Sequence, residues 1–368
     1  MLGDVGAKDF ELIVIGAGVA GVSTALAAAR SGVQSIACCD QHEVANAYGA
    51  SGDGMRLFRL SYFEHPAYVP LLRQAIESWK SLDESLYVPV GGFYAGPLNC
   101  DLVRGSLESA NMHGIPHEVM PCSVVRFKYP MFTLPNDYVV FFESQGGFVR
   151  AARGTRAIAQ AATKRGVDFI QEAVSQLNPI GNRWEVETSH AKYLADRVIV
   201  AAGHLTGELV PRIRPFIESQ MHLLLWMNHD GQDWQGAPGF GIMNDAGEML
   251  YGFPACDDIP GVKIGGHHDF SASSLVSQEA RLKALAAQFL PSLTGEVLSR
   301  RSCHYDVSPD ANFIFGEVEP GLSVACGFSG HGFKFGPVLG ELAWHGANGK
   351  LPKELAFLSV DRYLRSSN

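Results

Sequence analysis

The chain is poor in charge, and none of that charge is gathered into a basic stripe. Only 18% of its 368 residues are charged, and the formal net charge is −9. Because a nucleic-acid surface needs clustered lysine and arginine, this balance excludes a nucleic-acid partner. Internal repeats and low-complexity linkers are also lacking, so domain boundaries must be inferred from changes in hydrophobic pattern. The 46% apolar composition and the 40 glycines are typical of an α/β cofactor enzyme long enough for two domains.

The cysteines and histidines lack the spacing of a disulfide framework, a metal site or a catalytic triad. Seven cysteines, an odd number, are scattered along the chain. We therefore expect reduced thiols in a cytoplasmic protein. No paired Cys/His spacing is typical of zinc, so no metal is expected.

One apolar run is long enough to raise the question of a membrane span. Residues 12–29 carry no charge, but three glycines interrupt them, and Asp4, Asp9 and Glu11 precede them rather than a basic segment. A buried parallel strand followed by a packed helix explains the same apolarity. We expect a soluble, untargeted protein with no membrane segment.

The same run contains a glycine turn of the dinucleotide-binding type. Gly16, Gly18 and Gly21 stand between a β-rich run and a helix-like run, an order that presents backbone amides and the helix dipole to a pyrophosphate. A second apolar run ends at Asp40, 19 residues after Gly21, where a carboxylate can accept a hydrogen bond from a ribose hydroxyl. The pattern predicts a dinucleotide site and does not separate FAD from NAD.

A second glycine-rich segment, GFSGHGFKF, lies at residues 327–335. Its glycines permit positive φ and let the backbone approach a ligand closely, and Lys334 adds a cation beside that approach. Taken alone, the segment is interpreted equally well as a plain turn. The dinucleotide motif at the other end of the chain favours the ligand-binding interpretation.

The hydrophobic pattern predicts an α/β fold made of a doubly wound, Rossmann-type nucleotide domain and an antiparallel-sheet (α+β) substrate domain inserted in two pieces. Helical patterns cover residues 70–82, 149–165 and 278–290, and a buried strand ends in a small-residue turn at Gly203. That turn either lies against a nucleotide or merely ends the strand. The predicted nucleotide domain comprises residues 1–87, 145–218 and 300–368, and the substrate domain comprises residues 88–144 and 219–299.

Five segments together carry a resemblance to one enzyme family. They are residues 327–335 and the sequences Arg56-Leu-Phe-Arg59, Tyr251-Gly-Phe-Pro254, Lys263-Ile-Gly-Gly-His267 and Ser302-Cys-His-Tyr-Asp-Val-Ser-Pro-Asp310. Through them, and over nearly its whole length, the chain resembles the monomeric sarcosine oxidase and N-methyltryptophan oxidase family of flavoproteins. The resemblance implies that the cofactor is FAD and that the nucleotide domain is FAD-binding.

The resemblance also implies roles for the residues that contact the flavin. Cys303 would carry FAD through a thioether to the flavin 8-methyl group, although a cysteine taken alone is more often a buried structural thiol. Lys263 would lie over the flavin and promote its reaction with O2, because a fixed cation stabilises the negative charge that superoxide and peroxide develop. Arg56 resembles an arginine that lies close to the flavin ring.

Two further cations match the pair that holds the substrate carboxylate in this family. Arg59 and Lys334 would form this clamp, since arginine binds a carboxylate through two parallel hydrogen bonds. The alternative for Arg59 is a structural ion pair. The remaining matches are the pocket residues Tyr251, His267 and Tyr305, of which His267 and Tyr305 join Lys263 and Arg56 as expected catalytic residues. The other expected cofactor contacts are Gly330, His331 and Gly332 in the matching C-terminal segment and Gly203 in the small-residue turn.

These residues predict FAD-dependent oxidation of a secondary, N-methyl type α-amino acid. The product would be an imine that hydrolyses to an aldehyde and an amino acid, while O2 is reduced to H2O2. The expected partners are the amino acid substrate and O2, and a monomer is expected. Open alternatives are a cyclic imino acid or other amino acid oxidase, a dehydrogenase that passes electrons to a partner, a non-catalytic flavin-binding subunit and an NAD-dependent dehydrogenase. The clamp disfavours the subunit, and the Cys303 and 327–335 segments disfavour NAD.

The chain departs from the family at one position close to the flavin. Ser51 and Gly52 stand where the family carries paired histidines. Two small residues in place of two imidazoles predict extra room at the edge of the site, and hence a substrate larger than sarcosine.

Overall fold

The computed structural model describes residues 8–52, 54–230, 234, 236–254, 260–267 and 274–365. The strands are β1 (Lys8–Ile15), β2 (Ile36–Asp40), β3 (Met55–Phe58), β4 (Tyr87–Val88), β5 (Gly92–Pro97), β6 (Glu118–Pro121), β7 (Tyr138–Glu143), β8 (Gly147–Arg150), β9 (Val167–Gln171), β10 (Val174–Ile180), β11 (Arg183–Thr188), β12 (Lys192–Val200), β13 (Glu218–His229), β14 (Gly239–Met243), β15 (Met249–Phe253), β16 (Val262–Gly266), β17 (Leu293–Val307), β18 (Ile314–Glu319) and β19 (Leu322–Cys326). The helices are α1 (Val19–Arg30), α2 (Val69–Leu82), α3 (Asp101–His113), α4 (Cys122–Lys128), α5 (Ala151–Thr163), α6 (Thr206–Leu209), α7 (Leu275–Phe289), α8 (Gly336–Ala347) and α9 (Asp361–Leu364).

The helices follow the predicted patterns, with boundaries moved by local capping. Helix α2 buries Leu72, Ala75 and Trp79 on the predicted face. Helix α7 begins three residues before the predicted start at 278, because the Ser274 side chain accepts a hydrogen bond from the Ser277 amide and so caps an earlier turn. No helix within the described residues combines the length and apolarity needed to cross a membrane.

The first sheet is the predicted Rossmann-type sheet. Its strands run in the order β18, β19, β12, β1, β2, β9, and the five from β19 to β9 are parallel, while the β10–β11 hairpin pairs with the start of β12. Alternate residues of β1 enter two different cores: Leu12 and Val14 pack on the side of α1, α5 and α8, and Ile13 and Ile15 pack on the other. Burial on both faces explains why β1 reads as a nearly continuous apolar run.

The second sheet comes from two separate stretches of chain. Its order is β17, β13, β16, β15, β14, β5, β7, β6, and every pair is antiparallel except β14 with β5. This is the predicted antiparallel sheet inserted in two pieces, with one parallel pair in it. Strands β5 and β14 are joined through the first sheet rather than by a hairpin, so no tight turn imposes an antiparallel direction. Strand β17 also continues to Val307 and crosses the predicted boundary between residues 299 and 300.

A small third sheet joins the two large ones, with the order β3, β8, β4. Its strand β3 carries Arg56 into the space between the large sheets, and the residues after it lead to Arg59. The buried Glu143 at the end of β7 holds this segment, because its carboxylate accepts hydrogen bonds from the Leu60 and Ser61 amides, both at 2.8 Å, and from the Ser61 hydroxyl at 2.6 Å.

Candidate active site

The three glycines of the N-terminal motif allow β1 and α1 to pack without side chains between them. Gly16 has φ +100°, and a Cβ there would lie 2.4 Å from the Ala201 carbonyl oxygen. A Cβ on Gly21 would lie 1.7 Å from the Gly16 carbonyl oxygen. Gly18 is the N-cap residue of α1. The turn therefore offers a bare backbone and a helix N-terminus, the arrangement that suits a pyrophosphate.

Asp40 lies at the end of β2 with both carboxylate oxygens fixed by backbone amides. The Ala17 amide donates to Oδ2 at 2.7 Å, and the His42 amide donates to Oδ1 at 2.9 Å. A carboxylate oxygen has two acceptor positions, so each oxygen keeps one for a ribose hydroxyl. The two amides orient the carboxylate beside the glycine turn.

The position of the family's paired histidines is filled in a different way in this chain. The Ser51 hydroxyl accepts a hydrogen bond from the Val19 amide at 2.9 Å and thereby caps α1. A Cβ on Gly52 would lie 2.2 Å from the Asn46 carbonyl oxygen and 2.7 Å from the Ala47 Cα. The prediction of vacated space is thus wrong at Gly52, because the backbone of residues 46 and 47 occupies it.

A cavity of about 820 Å³ connects this nucleotide end to the space between the two large sheets. Gly203 lines it at the end of β12 with φ +56°, and a Cβ there would meet no atom within 4 Å. The cavity reaches Cys303, Lys263 and Lys334 at its far end. Its continuity from the helix N-terminus to these residues fits an extended dinucleotide such as FAD.

Lys263 and Arg56 meet at one backbone carbonyl at that far end. Lys263 Nζ donates to the Met55 oxygen at 3.2 Å, and Arg56 Nη1 donates to the same oxygen at 3.0 Å. Lys263 is 1% exposed, and its ammonium lies 4.9 Å from the centre of the Trp226 ring. A lysine taken alone is usually a surface residue, but Lys263 is buried and lines the cavity.

Tyr251, Tyr305, Cys303 and His267 lie together beside these cations. The two phenol oxygens are 3.4 Å apart, and the His267 and Tyr305 ring centres are 6.3 Å apart. Burial raises the pKa of Tyr251 to about 12, to which the neighbouring Cys303 also contributes, and it raises the pKa of Tyr305 further. Both phenols thus remain protonated donors.

Gly330 brings the C-terminal glycine segment against this group. It has φ +76°, and a Cβ there would lie 2.2 Å from the edge of the Tyr305 ring. Gly332 lies in the following turn, where a Cβ would lie 2.8 Å from the Phe328 side chain. Both glycines line the cavity, so the segment contacts the site and is more than a plain turn.

Arg59 and Lys334 form the third part of the site, with both cations close to the Tyr62 ring. The Arg59 guanidinium lies 4.9 Å and the Lys334 ammonium 5.1 Å from the centre of that ring. Burial, together with the charge of Arg59, lowers the pKa of Lys334 to about 7. The two cations therefore act as one positive cluster whose charge changes near neutral pH.

Glu64 is an acidic member of this cluster that the sequence patterns did not indicate. One of its oxygens forms an ion pair with Arg59 Nη2. Although burial alone would raise the pKa of Glu64, the charges of Arg59 and Lys334 hold it below its usual range. Arg59 therefore forms the structural ion pair that was the alternative interpretation of this residue. Its Nη1, also buried, has no hydrogen-bond partner among the described residues.

Both ring nitrogens of His331, a predicted cofactor contact, form hydrogen bonds with the protein. Its Nε2 donates to the Ala311 carbonyl at 2.9 Å, and its Nδ1 accepts a hydrogen bond from the Tyr62 hydroxyl. Burial lowers the pKa of His331 to about 3, so the ring is neutral. It supports Tyr62 behind the two cations, and Lys334 Nζ donates to its carbonyl at 2.8 Å.

The sequence analysis missed three residues that hold the expected residues in place. They are Glu64, which pairs with Arg59, Tyr62, which lies close to both cations, and Glu143, which holds the segment after Arg59. Glu64 and Tyr62 lie within five residues of Arg59, but no motif spacing marks them as members of a site. Glu143 lies far away in sequence and contacts them through the fold. Within the described ranges, no group of histidine, cysteine or acidic side chains could hold a metal ion.

Comparison with known proteins agrees with this geometry. Residues 11–344 match the family described as FAD dependent oxidoreductase. N-methyl-L-tryptophan oxidase of Yersinia pestis (strain Pestoides F) is 29% identical over 381 aligned residues, which cover 96% of this chain and 100% of that protein. Among solved structures, the open form of the amino acid oxidase NikD has a TM-score of 0.81 at 19% identity, covering 96% of this chain and 97% of NikD. L-proline dehydrogenase from P. horikoshii has a TM-score of 0.82 at 18% identity, covering 98% and 99% of the two chains. The structural likenesses show a shared fold, and the sequence match shows that the chain belongs to the FAD dependent oxidoreductase family.

Proposed function

We propose that this enzyme oxidises a secondary, N-methyl type α-amino acid at its carbon–nitrogen bond. The imine product hydrolyses to an aldehyde and a primary amino acid, and O2 is reduced to H2O2. The observation that carries the proposal is the buried Arg59 Nη1, a donor without a partner among the described residues, beside Lys334 in the cavity wall. A buried donor of this kind is costly unless a ligand accepts its hydrogen bond, and a carboxylate is the natural acceptor.

The two cations bind the substrate carboxylate and thereby orient the amine. Below pH 7, Arg59 and Lys334 contribute two positive charges, of which Glu64 neutralises one, so one positive charge remains for the substrate. Tyr251 and Tyr305 stay protonated and offer hydroxyl groups to the same space. The name of the N-methyl-L-tryptophan oxidase relative supports a secondary amino acid as the substrate class.

When bound, FAD would supply the redox chemistry as a two-electron acceptor. The chain's own residues orient the substrate, exclude water and place a cation beside the reacting centre. Lys263 is the cation that we assign to the O2 reaction, since it is buried and fixed by the Met55 carbonyl. A preorganised charge of this kind stabilises developing negative charge without solvent reorganisation.

We propose further that Cys303 holds FAD through a thioether to the flavin 8-methyl group. Its sulfur is buried, lines the cavity and lies in the same cluster as Tyr305 and Leu224. The thioether would fix the flavin at the end of the cavity opposite the Asp40 carboxylate.

The proposed reaction is tested by H2O2 release with four matched compounds. These are an N-methyl amino acid, its primary amino acid, its decarboxylated N-methylamine and a cyclic imino acid. We expect the N-methyl acid to be oxidised with stoichiometric formaldehyde, and the decarboxylated amine to be a poor substrate because it cannot engage Arg59. Equal turnover of the acid and the decarboxylated amine would contradict the proposal, and a clear preference for the cyclic compound would reassign the substrate class.

A further inference from the structure

Cys303 has a neighbour that the roles above leave unused, the buried His222. Strands β13 and β17 pair antiparallel, and His222 lies directly opposite Cys303 in their register. Residues directly opposed in such a pair point to the same face of the sheet, with Cβ atoms about 4.5–5.5 Å apart. The imidazole and the thiol are therefore adjacent side chains, although they come from strands distant in sequence.

Cys303 and Tyr305 line the cavity, whereas His222, which stacks on Tyr305, is not among its lining residues. The His222 and Tyr305 rings are stacked, with centres 4.1 Å apart and planes at 25°. His222 is 1% exposed, whereas Cys303 packs against the same Tyr305 and lines the cavity. The imidazole thus approaches the thiol from the protein side, and a flavin approaches it from the cavity side.

Bond formation at this sulfur requires the thiolate, because the thiol is a weak nucleophile. The Cys303 thiol must therefore lose its proton as the bond forms, and a neighbouring group must take that proton. Tyr251 and Tyr305 are not anions near neutral pH, because burial raises the pKa of both phenols. Arg56 is a permanent cation and has no acceptor.

The neighbouring His304 provides a comparison within the same strand. It follows Cys303 directly, so its side chain points to the opposite face of the sheet. There its ring stacks on His204, with ring centres 4.4 Å apart, and its Nδ1 lies 3.2 Å from the Ser219 hydroxyl. His222 and His304 thus lie beside Cys303 on opposite faces of the sheet.

We propose that His222 is the base that takes the Cys303 proton during covalent attachment of FAD, an inference that rests on the thioether proposed above. One proton leaves the sulfur and one leaves the flavin 8-methyl carbon as the carbon–sulfur bond forms. The two electrons released enter the flavin ring. Molecular oxygen then accepts these two electrons and two protons as H2O2, which restores the oxidised cofactor.

The test follows covalent attachment separately from oxidation of the substrate. Full-length wild type, His222→Gln, His222→Asn and the matched control His304→Gln are purified and mixed with excess FAD in air. Samples taken over time are run on denaturing gels, where flavin fluorescence on the protein band measures the thioether. Free FAD affinity and thermal unfolding are measured in parallel. In the flavin-free fraction of each protein, the rate of iodoacetamide labelling at Cys303 is followed by peptide mass spectrometry.

We expect both His222 variants to bind FAD but to attach it about a hundredfold more slowly, the usual effect of losing a general base. Labelling of Cys303 should slow in parallel, and His304→Gln should behave as wild type. Attachment in the His222 variants at the wild-type rate would overturn the base while leaving the thioether intact, and so would equal slowing in His304→Gln. Absence of protein-bound fluorescence in the wild type would overturn both proposals. If neither His222 variant folds, the rate of Cys303 labelling in the wild type still tests the proposal. A rate no faster than that of an unperturbed thiol would refute the role of His222 as the base.

Discussion

Removing Arg59 should damage stability and substrate binding by two separable routes. Arg59→Met leaves Glu64 with no paired charge in a largely buried position, where the Arg59 charge had held its pKa below the usual range. Breaking a buried ion pair on one side costs about 3–5 kcal/mol. The same change removes a charge-assisted hydrogen bond to the substrate carboxylate, worth about 1.5–3 kcal/mol, or about tenfold to a hundredfold in KM.

Glu64→Gln separates the two effects. The double variant Arg59→Met/Glu64→Gln contains no unpaired carboxylate, so most of the lost stability should return. Its KM should stay as high as that of Arg59→Met, because the carboxylate donor is still missing. Glu64→Gln alone should lower KM, since it removes a negative charge that competes for Arg59.

Thermal unfolding of the flavin-loaded protein measures the first effect, and steady-state H2O2 release measures the second. Both are compared in the wild type, the two single variants and the double variant. Recovery of KM together with stability in the double variant would refute the clamp, because the binding defect would then follow from the stranded Glu64. An Arg59→Met protein as stable as the wild type would refute the energetic role of the ion pair.

Three further predictions follow from the same geometry. Lys263→Met should slow reoxidation of the reduced flavin by O2 about a hundredfold to a thousandfold while sparing anaerobic reduction by substrate, and equal stopped-flow reoxidation rates would exclude its oxygen role. The pKa of Lys334 is about 7, so its ammonium loses its proton as the pH rises through that value. The Kd of phenylacetate, a carboxylic acid without an amine, should therefore rise above pH 7. A Lys334→Met protein with the same pH dependence would contradict this. Gly330→Ala should disturb the Tyr305 ring and lower activity. Gly349 also has positive φ, but a Cβ there would meet no atom within 4 Å, so Gly349→Ala should cost only the backbone strain of about 1–2 kcal/mol in unfolding measurements. Identical effects of the two changes on kcat would contradict the contact with Tyr305.

The parts of the site predicted from sequence are those whose chemistry is local. One turn requires all three motif glycines, which makes Gly16, Gly18 and Gly21 recognisable. Asp40 is recognisable because a characteristic length of chain separates β1 from the end of β2. The expected catalytic and clamp residues came from motif resemblance, and the fold brings them to one cavity. The residues that stabilise them could not be predicted from the sequence. Glu143, for example, supports the Arg59 segment through contacts between strands that are distant in sequence.

The replacement of the paired histidines shows a second limit of reasoning from residue size. A smaller side chain predicts space only if the surrounding backbone stays in place. At Gly52 the backbone of residues 46 and 47 occupies the volume that a side chain would need. The Ser51 hydroxyl caps α1. A change of substrate therefore does not follow from this replacement, and the substrate must be inferred from the charges of Arg59, Lys334 and Glu64 instead.

Strand register limits sequence reasoning most strongly, and His222 is the example. It stands beside an apolar run of β13, with no motif and no spacing to Cys303 that a sequence pattern could reveal. Its position opposite the thiol depends on the alignment of β13 with β17, and a shift of one residue would turn it to the other face. Burial of Leu223 and Leu225 in one core, and of Leu224 and Trp226 in another, opposes such a shift. The packing of four apolar side chains thus decides which imidazole faces the cysteine.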